Sequence, residues 1–143
     1  MGRMVIGVDL GGTNLRAAIL SPEGEILDRH KEATFAAEGW VKVVARLIET
    51  IRRQREIAAQ KGFEICAVGV GAPGVIQGDK GIVVKSPNFP DWNNLPLKDQ
   101  LEKALGVPVF LENDANAAAL GEQSEARQSY PVLSAYLPES VCC

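Results

Sequence analysis

The stretch Val5-Ile6-Gly7-Val8-Asp9-Leu10-Gly11-Gly12-Thr13-Asn14-Leu15-Arg16 constrains this chain more than any other. An apolar run ends in an acid, breaks at two glycines and resumes as a second apolar run over residues 17–20. The two runs read as strands joined by a tight turn, whose positive φ angles Gly11 and Gly12 can adopt. With no Cβ at either position, a bound anion could approach the backbone N–H groups closely. Asp9 stands at the mouth of the turn, and Thr13 offers a hydroxyl just past it. Taken alone, these residues fit an ordinary β-hairpin better than a phosphate cradle. The rest of the chain decides between the two.

Its 143 residues make one domain by length, enough to bury about two thirds of the unfolded surface. Hydrophobic residues are 46% and charged residues 23%, the balance of a globular protein. A net charge of −3 gives no general affinity for nucleic acid or an anionic membrane. No apolar stretch approaches the roughly 18 residues of a membrane span. Gly7, Asp9 and Gly11 break up what would be the apolar core of a signal peptide. Cys66 lies inside an apolar run, and Cys142 and Cys143 end the chain. Together they form neither a disulfide framework nor a metal spacing. The expected compartment is cytoplasmic.

Beyond a turn at Ser21-Pro22-Glu23-Gly24, residues 25–31 predict a third, more exposed strand and hence an antiparallel meander. His30, the one histidine, reads as a surface strand residue. Trp40, Val43, Val44, Leu47, Ile48, Ile51 and Ala58 recur at helical spacing, and Gly62 ends the helix they predict. Lys42, Arg46, Arg52, Arg53 and Arg55 read as its solvated outer face. Residues 65–70 form an apolar run suited to a strand buried on both faces, and it empties into Gly71-Ala72-Pro73-Gly74. A small hairpin is expected around Gly78-Asp79-Lys80. A loop is expected over residues 86–92, because Pro87 and Pro90 oppose regular pairing. A helix over residues 97–105, a strand over 107–111 and an alanine-rich helix over 115–122 complete the order. That order calls for an α/β fold: a mixed five-stranded sheet with three antiparallel N-terminal strands and helices packed on it. Ligands of such sheets sit beyond the carboxyl ends of the parallel strands, where Asp9, Gly71 and Asp114 all fall.

Asp114 follows a strand at the start of a helix, whose N-terminus stabilises a carboxylate. An ionised acid there could take the proton of an attacking hydroxyl. A plain helix cap by Asn113 or Asp114 accounts for either residue taken singly. Glu112-Asn113-Asp114-Ala115-Asn116, however, packs more polar groups than a cap requires. Asn88 could exchange hydrogen bonds with a polyol, or simply satisfy its turn.

The stretches VIGVDLGGTNLRAAIL, VGVGAPGVI, SPNFPDWNNLPL and VPVFLENDANAAALGE resemble, in order over residues 4–122, the N-terminal lobe of the ROK (repressor, ORF, kinase) family near its bacterial glucokinase branch. The resemblance implies the actin-like, ribonuclease H-like ATPase fold and phosphorylation of a hexose, glucose foremost, with ATP and Mg²⁺. It implies that Asp9, Gly11, Gly12 and Thr13 bind the ATP phosphates, with Asp9 near the metal. It implies that Asp114 is the base and that Asn113 hydrogen-bonds the sugar. Gly71, Ala72, Asn88 and Glu122 would line or support the sugar pocket.

Family kinases have a second lobe and about twice this length, so residues 1–123 correspond to one lobe only. The second phosphate loop, the adenosine site, the remaining sugar-binding motif and the cysteine-rich zinc site belong to the part that is not matched. No zinc site is expected in this chain. Repressor members carry a helix-turn-helix module before the first strand; none is expected here, so nucleic acid is not an expected partner, and neither is a membrane. Residues 124–143 leave the family pattern and suggest a truncated or frameshifted gene. The genetic code allows residues 137–141 to be encoded by CTA CCG GAG TCG GTG, a choice of third bases that, read from the third base, gives Thr-Gly-Val-Gly, which resembles the family's second phosphate turn. Apolar surface left bare would be covered by Val132, Leu133, Tyr136 and Leu137 or by homodimerisation. The expectation is a kinase lobe that is inactive in isolation; the alternatives are the sugar-binding module of a repressor and a fragment without function.

Overall fold

The computed structural model describes residues 2–113. The helix expected over residues 115–122, Asp114, Glu122 and the atypical tail lie outside the described residues. The first strand, β1 (Gly2–Leu10), turns into β2 (Asn14–Leu20), and β3 (Ile26–Ala33) completes the meander. Helix α1 (Trp40–Gln60) crosses to β4 (Phe63–Ala72). Short strands β5 (Val75–Gln77), β6 (Ile82–Ser86) and β7 (Phe89–Leu95) follow, then helix α2 (Leu97–Leu105) and strand β8 (Val109–Asn113). The main sheet has the order β3-β2-β1-β4-β8, with β1, β4 and β8 parallel to one another and β2 antiparallel to both its neighbours. This is the five-stranded mixed sheet the sequence predicts.

Alternation along β1 divides the sheet into two faces. Met4, Ile6, Val8 and Leu10 join Leu15, Ala17 and Ile19 of β2 and Val68, Val70 and Ala72 of β4 in one core. Val43, Leu47 and Ile51 of α1 and Leu97, Leu101 and Leu105 of α2 pack on that face. Val5, Ala18, Leu20 and Ala67 are buried on the opposite face, the one to which alternation assigns Asp9. β4 is apolar on both faces because it lies between two parallel neighbours.

The segment expected as a loop over residues 86–92 is instead a turn and most of β7. Ser86 pairs with Phe89, Lys85 with Asn93 and Val83 with Leu95, so residues 90–92 bulge out of the ladder. Pro90 sits in that bulge on an edge strand, where a missing N–H costs no ladder bond. Burial along β7 falls on Phe89, Trp92 and Leu95, every third residue, which hides the strand from a search for period-two alternation. Phe89 and Trp92 stack with ring centroids 4.2 Å apart and seat the three-stranded sheet β5-β6-β7 in the main core.

The cationic face of α1 is also less solvated than its composition suggests. Arg46 pairs with Glu38 and donates through Nη1 to the Thr34 carbonyl at 2.6 Å. Arg55 and Arg52 donate to the Leu105 and Ala104 carbonyls at 2.6 and 3.3 Å, satisfying the C-terminal end of α2. At the other end of α1, the Trp40 N–H donates to Asp91 Oδ2 at 2.7 Å, so a β7 side chain caps a helix far from it in sequence. His30 is on β3, half-buried, with Nε2 3.7 Å from Glu32.

Glu102 ties α2 to the start of β8. Its Oε2 accepts from Lys98 Nζ at 2.7 Å and from the Val109 N–H at 2.9 Å. Burial works to raise its pKa, but the Lys98 hydrogen bond, the Val109 N–H and the Lys98 charge outweigh it. The carboxyl is held below the ordinary 4.5. A depressed carboxylate stabilises the fold fully above the unfolded-state value, and that contribution disappears as pH falls through the folded value. Urea melts taken from pH 7 downward should therefore lose stability below about pH 4.5, and the acid limb should be shallower in Glu102→Gln.

Candidate functional site

The parallel registers align three strand ends. Asp9 of β1 pairs with Gly71 of β4, and Gly71 with Glu112 of β8; one step further, Ala72 pairs with Asn113. With strands about 4.8 Å apart, Asp9 and the β8 end lie on one edge about 10 Å from each other. This is the edge where ligands of open α/β sheets bind. Asp9 is half-buried, and Gly71 and Ala72 are buried in the sheet.

The β1–β2 turn, residues 11–13, is held at both ends. Gly11 N–H donates to the Asn14 carbonyl at 2.9 Å. Thr34 grips the turn from below: its Oγ1 donates to the Gly11 carbonyl at 2.8 Å and its N–H to the Thr13 carbonyl at 2.9 Å. Thr34 is itself 1% exposed and is backed by Arg46. Among the described residues, nothing accepts from the N–H groups of Gly12 and Thr13. The Gly11 N–H and the Gly11 and Thr13 carbonyls are the engaged backbone groups of the turn. Neither Gly11 nor Gly12 has a positive φ, contrary to the turn chemistry expected of them. The need for glycine is steric: a Cβ on Gly11 would lie 2.9 Å from the Asn14 carbonyl oxygen, and one on Gly12 would meet Asn88.

On the other side of the edge, Asn113 Nδ2 donates to the Gly74 carbonyl, and the Asn113 N–H donates to Glu112 Oε1 at 2.8 Å. Gly74 has φ +106°, and a Cβ there would fall 2.2 Å from the Lys85 carbonyl oxygen. The close contact lets the β4–β5 turn lie on the end of β6 while its carbonyl fixes the Asn113 amide. Asn88 is exposed at the Pro87-Asn88 tip between β6 and β7. Asp9, Gly11, Gly12, Thr13, Gly71, Ala72, Asn88 and Asn113 thus share one edge.

Two residues at this edge escaped the sequence. Arg16 is the cross-strand partner of Asp9 and shares its face; its place in the Asp9-to-Arg16 spacing was the available signal. Thr34 had no signal, since its contact with the turn spans 23 residues. Among the described residues, no three His, Cys, Asp or Glu side chains cluster as a metal site. Asp9 offers one carboxylate, which suits a Mg²⁺ ion held mainly by phosphate oxygens and water.

Thr34→Val keeps the shape and removes the hydroxyl donor, leaving the Gly11 carbonyl unpaired. The expected cost is about 1–2 kcal/mol. Hydrogen exchange should show faster Gly11 and residue-34 amides, with β4 and α1 protection changed only by the global loss.

Comparison with known proteins matches the chain to the ROK family model over residues 5–137. The glucokinase of Thermotoga maritima is 47% identical over 119 residues, which are 83% of this chain and 36% of that protein. The structure of a ROK family glucokinase from Streptomyces griseus in complex with glucose and AMPPNP superposes with a TM-score of 0.70 at 39% identity, over 83% of this chain and 36% of that one. A ROK family transcriptional regulator, a homologue of the E. coli MLC protein, gives a TM-score of 0.74 at 29% identity, over 84% and 30%. The chain therefore spans about a third of the length of these relatives. Its mixed sheet is that of the actin-like ATPase fold shared by the ROK sugar kinases. With most of its length matched in sequence and its sheet matched in space, the chain belongs to the ROK family.

Proposed function

We propose that the chain is the N-terminal lobe of an ATP-dependent, glucokinase-like hexose kinase. The observation that carries this reading is the alignment of Asp9, Gly71 and Asn113 at adjacent parallel strand ends, with the Gly11-Gly12 turn beside them. The relative from Thermotoga maritima is named a glucokinase, and the Streptomyces griseus structure holds glucose and AMPPNP; both support the choice of glucose and ATP.

Under this reading the N–H groups of Gly12 and Thr13 and the Thr13 hydroxyl hold ATP phosphate oxygens. Asp9 would help hold a Mg²⁺ ion, which would neutralise phosphate charge. Asn113 hydrogen-bonds the hexose, and its amide is oriented by the Gly74 carbonyl. Gly71, Ala72 and Asn88 line the sugar side, supported by Glu122. Asp114 is the base. Its carboxylate takes the proton of the attacking sugar hydroxyl as that oxygen bonds the γ-phosphorus. The bond from the γ-phosphorus to the bridging oxygen breaks, and ADP leaves with the electron pair. Such transfer depends on positioning and charge neutralisation rather than on a covalent enzyme intermediate.

A lobe alone cannot close around its substrates or exclude water, so the isolated chain should turn over negligibly. Homodimerisation of this chain would cover apolar surface that a second lobe would otherwise bury. The cytoplasm is the compartment that fits a lobe of ATP-dependent sugar phosphorylation. A second reading is favoured by the similarity to the ROK transcriptional regulator: a sugar-sensing module that binds without catalysis. Asp114 distinguishes the two, because binding needs no base. A coupled ADP-release assay with glucose and ATP should show no turnover above background, while calorimetry detects glucose binding. Robust turnover abolished by Asp114→Asn would overturn the inactivity, and absence of glucose binding would overturn the hexose reading.

A further inference from the structure

The β1–β2 turn and the β6–β7 hairpin tip approach each other closely at Gly12 and Asn88. A Cβ built on Gly12 would stand 2.9 Å from both Cβ and Cγ of Asn88 and 3.2 Å from its Nδ2. Gly12 lies outside the left-handed region, so its backbone would accept an alanine. Asn88 is what forbids one. The atoms in the way are the root of the Asn88 side chain rather than its flexible end. They are carried on a two-residue turn whose flanks, Ser86 and Phe89, are 3% and 0% exposed. The Phe89–Trp92 stack and the Asp91 cap on α1 hold β7 from behind. The tip therefore has little freedom to retreat.

We propose that Gly12 is a positioning residue for the hexose end of the site. Its missing Cβ lets Asn88 seat against the β1–β2 turn, and that turn sets where the Asn88 amide stands. Thr34 and Arg46 hold the turn, so the position of Asn88 is fixed by contacts that run from α1 through residues 11–13. The two loops behave as one body: a shift of the phosphate-facing turn is passed directly to Asn88. The proposal rests on the reading of Asn88 as a hexose contact.

A double-mutant cycle on the full 143-residue chain tests it, with glucose titrated by calorimetry and thermal melts followed by circular dichroism. Gly12→Ala should weaken glucose binding about fivefold or more, Asn88→Gly by a similar factor, and the double variant no further than Asn88→Gly alone. Independent, multiplying losses would overturn the proposal, as would glucose affinity unchanged in Gly12→Ala. If Gly12→Ala fails to fold, the Asn88→Gly background still decides. There, adding Gly12→Ala must alter neither melting temperature nor glucose affinity, and a further loss in either refutes the contact. Melting temperatures that couple while glucose affinities do not would reduce the pair to a packing contact and overturn the positioning role. Absence of glucose binding by the unsubstituted chain would instead overturn the hexose reading itself, and the proposal with it.

Discussion

Everything at the shared edge of Asp9, Gly71 and Asn113 depends on the parallel pairing of β1, β4 and β8. Parallel neighbours need a long crossover, and here α1 and the segment from β5 through α2 supply the two crossovers. The return covers one face of the sheet with both helices and brings all three strands to the same edge. A chemistry-bearing residue placed last on any of them reaches the same place. Asp9, Gly71 and Asn113 are such residues, and their nearness follows from register, with no direct bond between them required.

The edge is stiffened by contacts that lie outside it. Thr34 and Arg46 brace the β1–β2 turn, Gly74 braces Asn113, and Asp91 and the Phe89–Trp92 stack brace the hairpin that carries Asn88. Of these, Thr34 is buried and Arg46 is ion-paired to Glu38. The turn backbone is therefore held in one shape by contacts within the fold, the kind of preorganisation that lowers an ordering cost. Glu102 performs a similar service at the root of β8, where it binds the first amide of the strand that ends in Asn113.

Local pattern made much of the fold legible. The apolar runs around Val8, Ile19 and Val70 and the stripe from Val43 to Ala58 have periods that permit one element each. The Asp9-to-Arg16 stretch and its spacing to the later motifs carried the family resemblance, and the sequence and structural relatives bear that out. β7 was not legible, because its bulge around Pro90 replaces the two-residue repeat by burial at every third position. The roles of Arg52 and Arg55 were not legible either. A cation beside glutamates on a helix looks solvated until the carbonyls it reaches, those of Ala104 and Leu105, are brought alongside.

By itself, then, the sequence determined the described strands and helices other than β7, the order in which they come and the residues that stand at strand ends, because these depend on neighbours along the chain. It also pointed to glycine at residues 11 and 12, though for the wrong physical reason. Only the tertiary structure decided why glycine is needed there: Gly12 has an ordinary φ, and Asn88, brought in from a different sheet, occupies the space a Cβ would take. Steric exclusion between segments distant in sequence leaves no trace in either segment alone. For that reason the contact between the β1–β2 turn and the hairpin that carries Asn88 emerges only when the chain is folded.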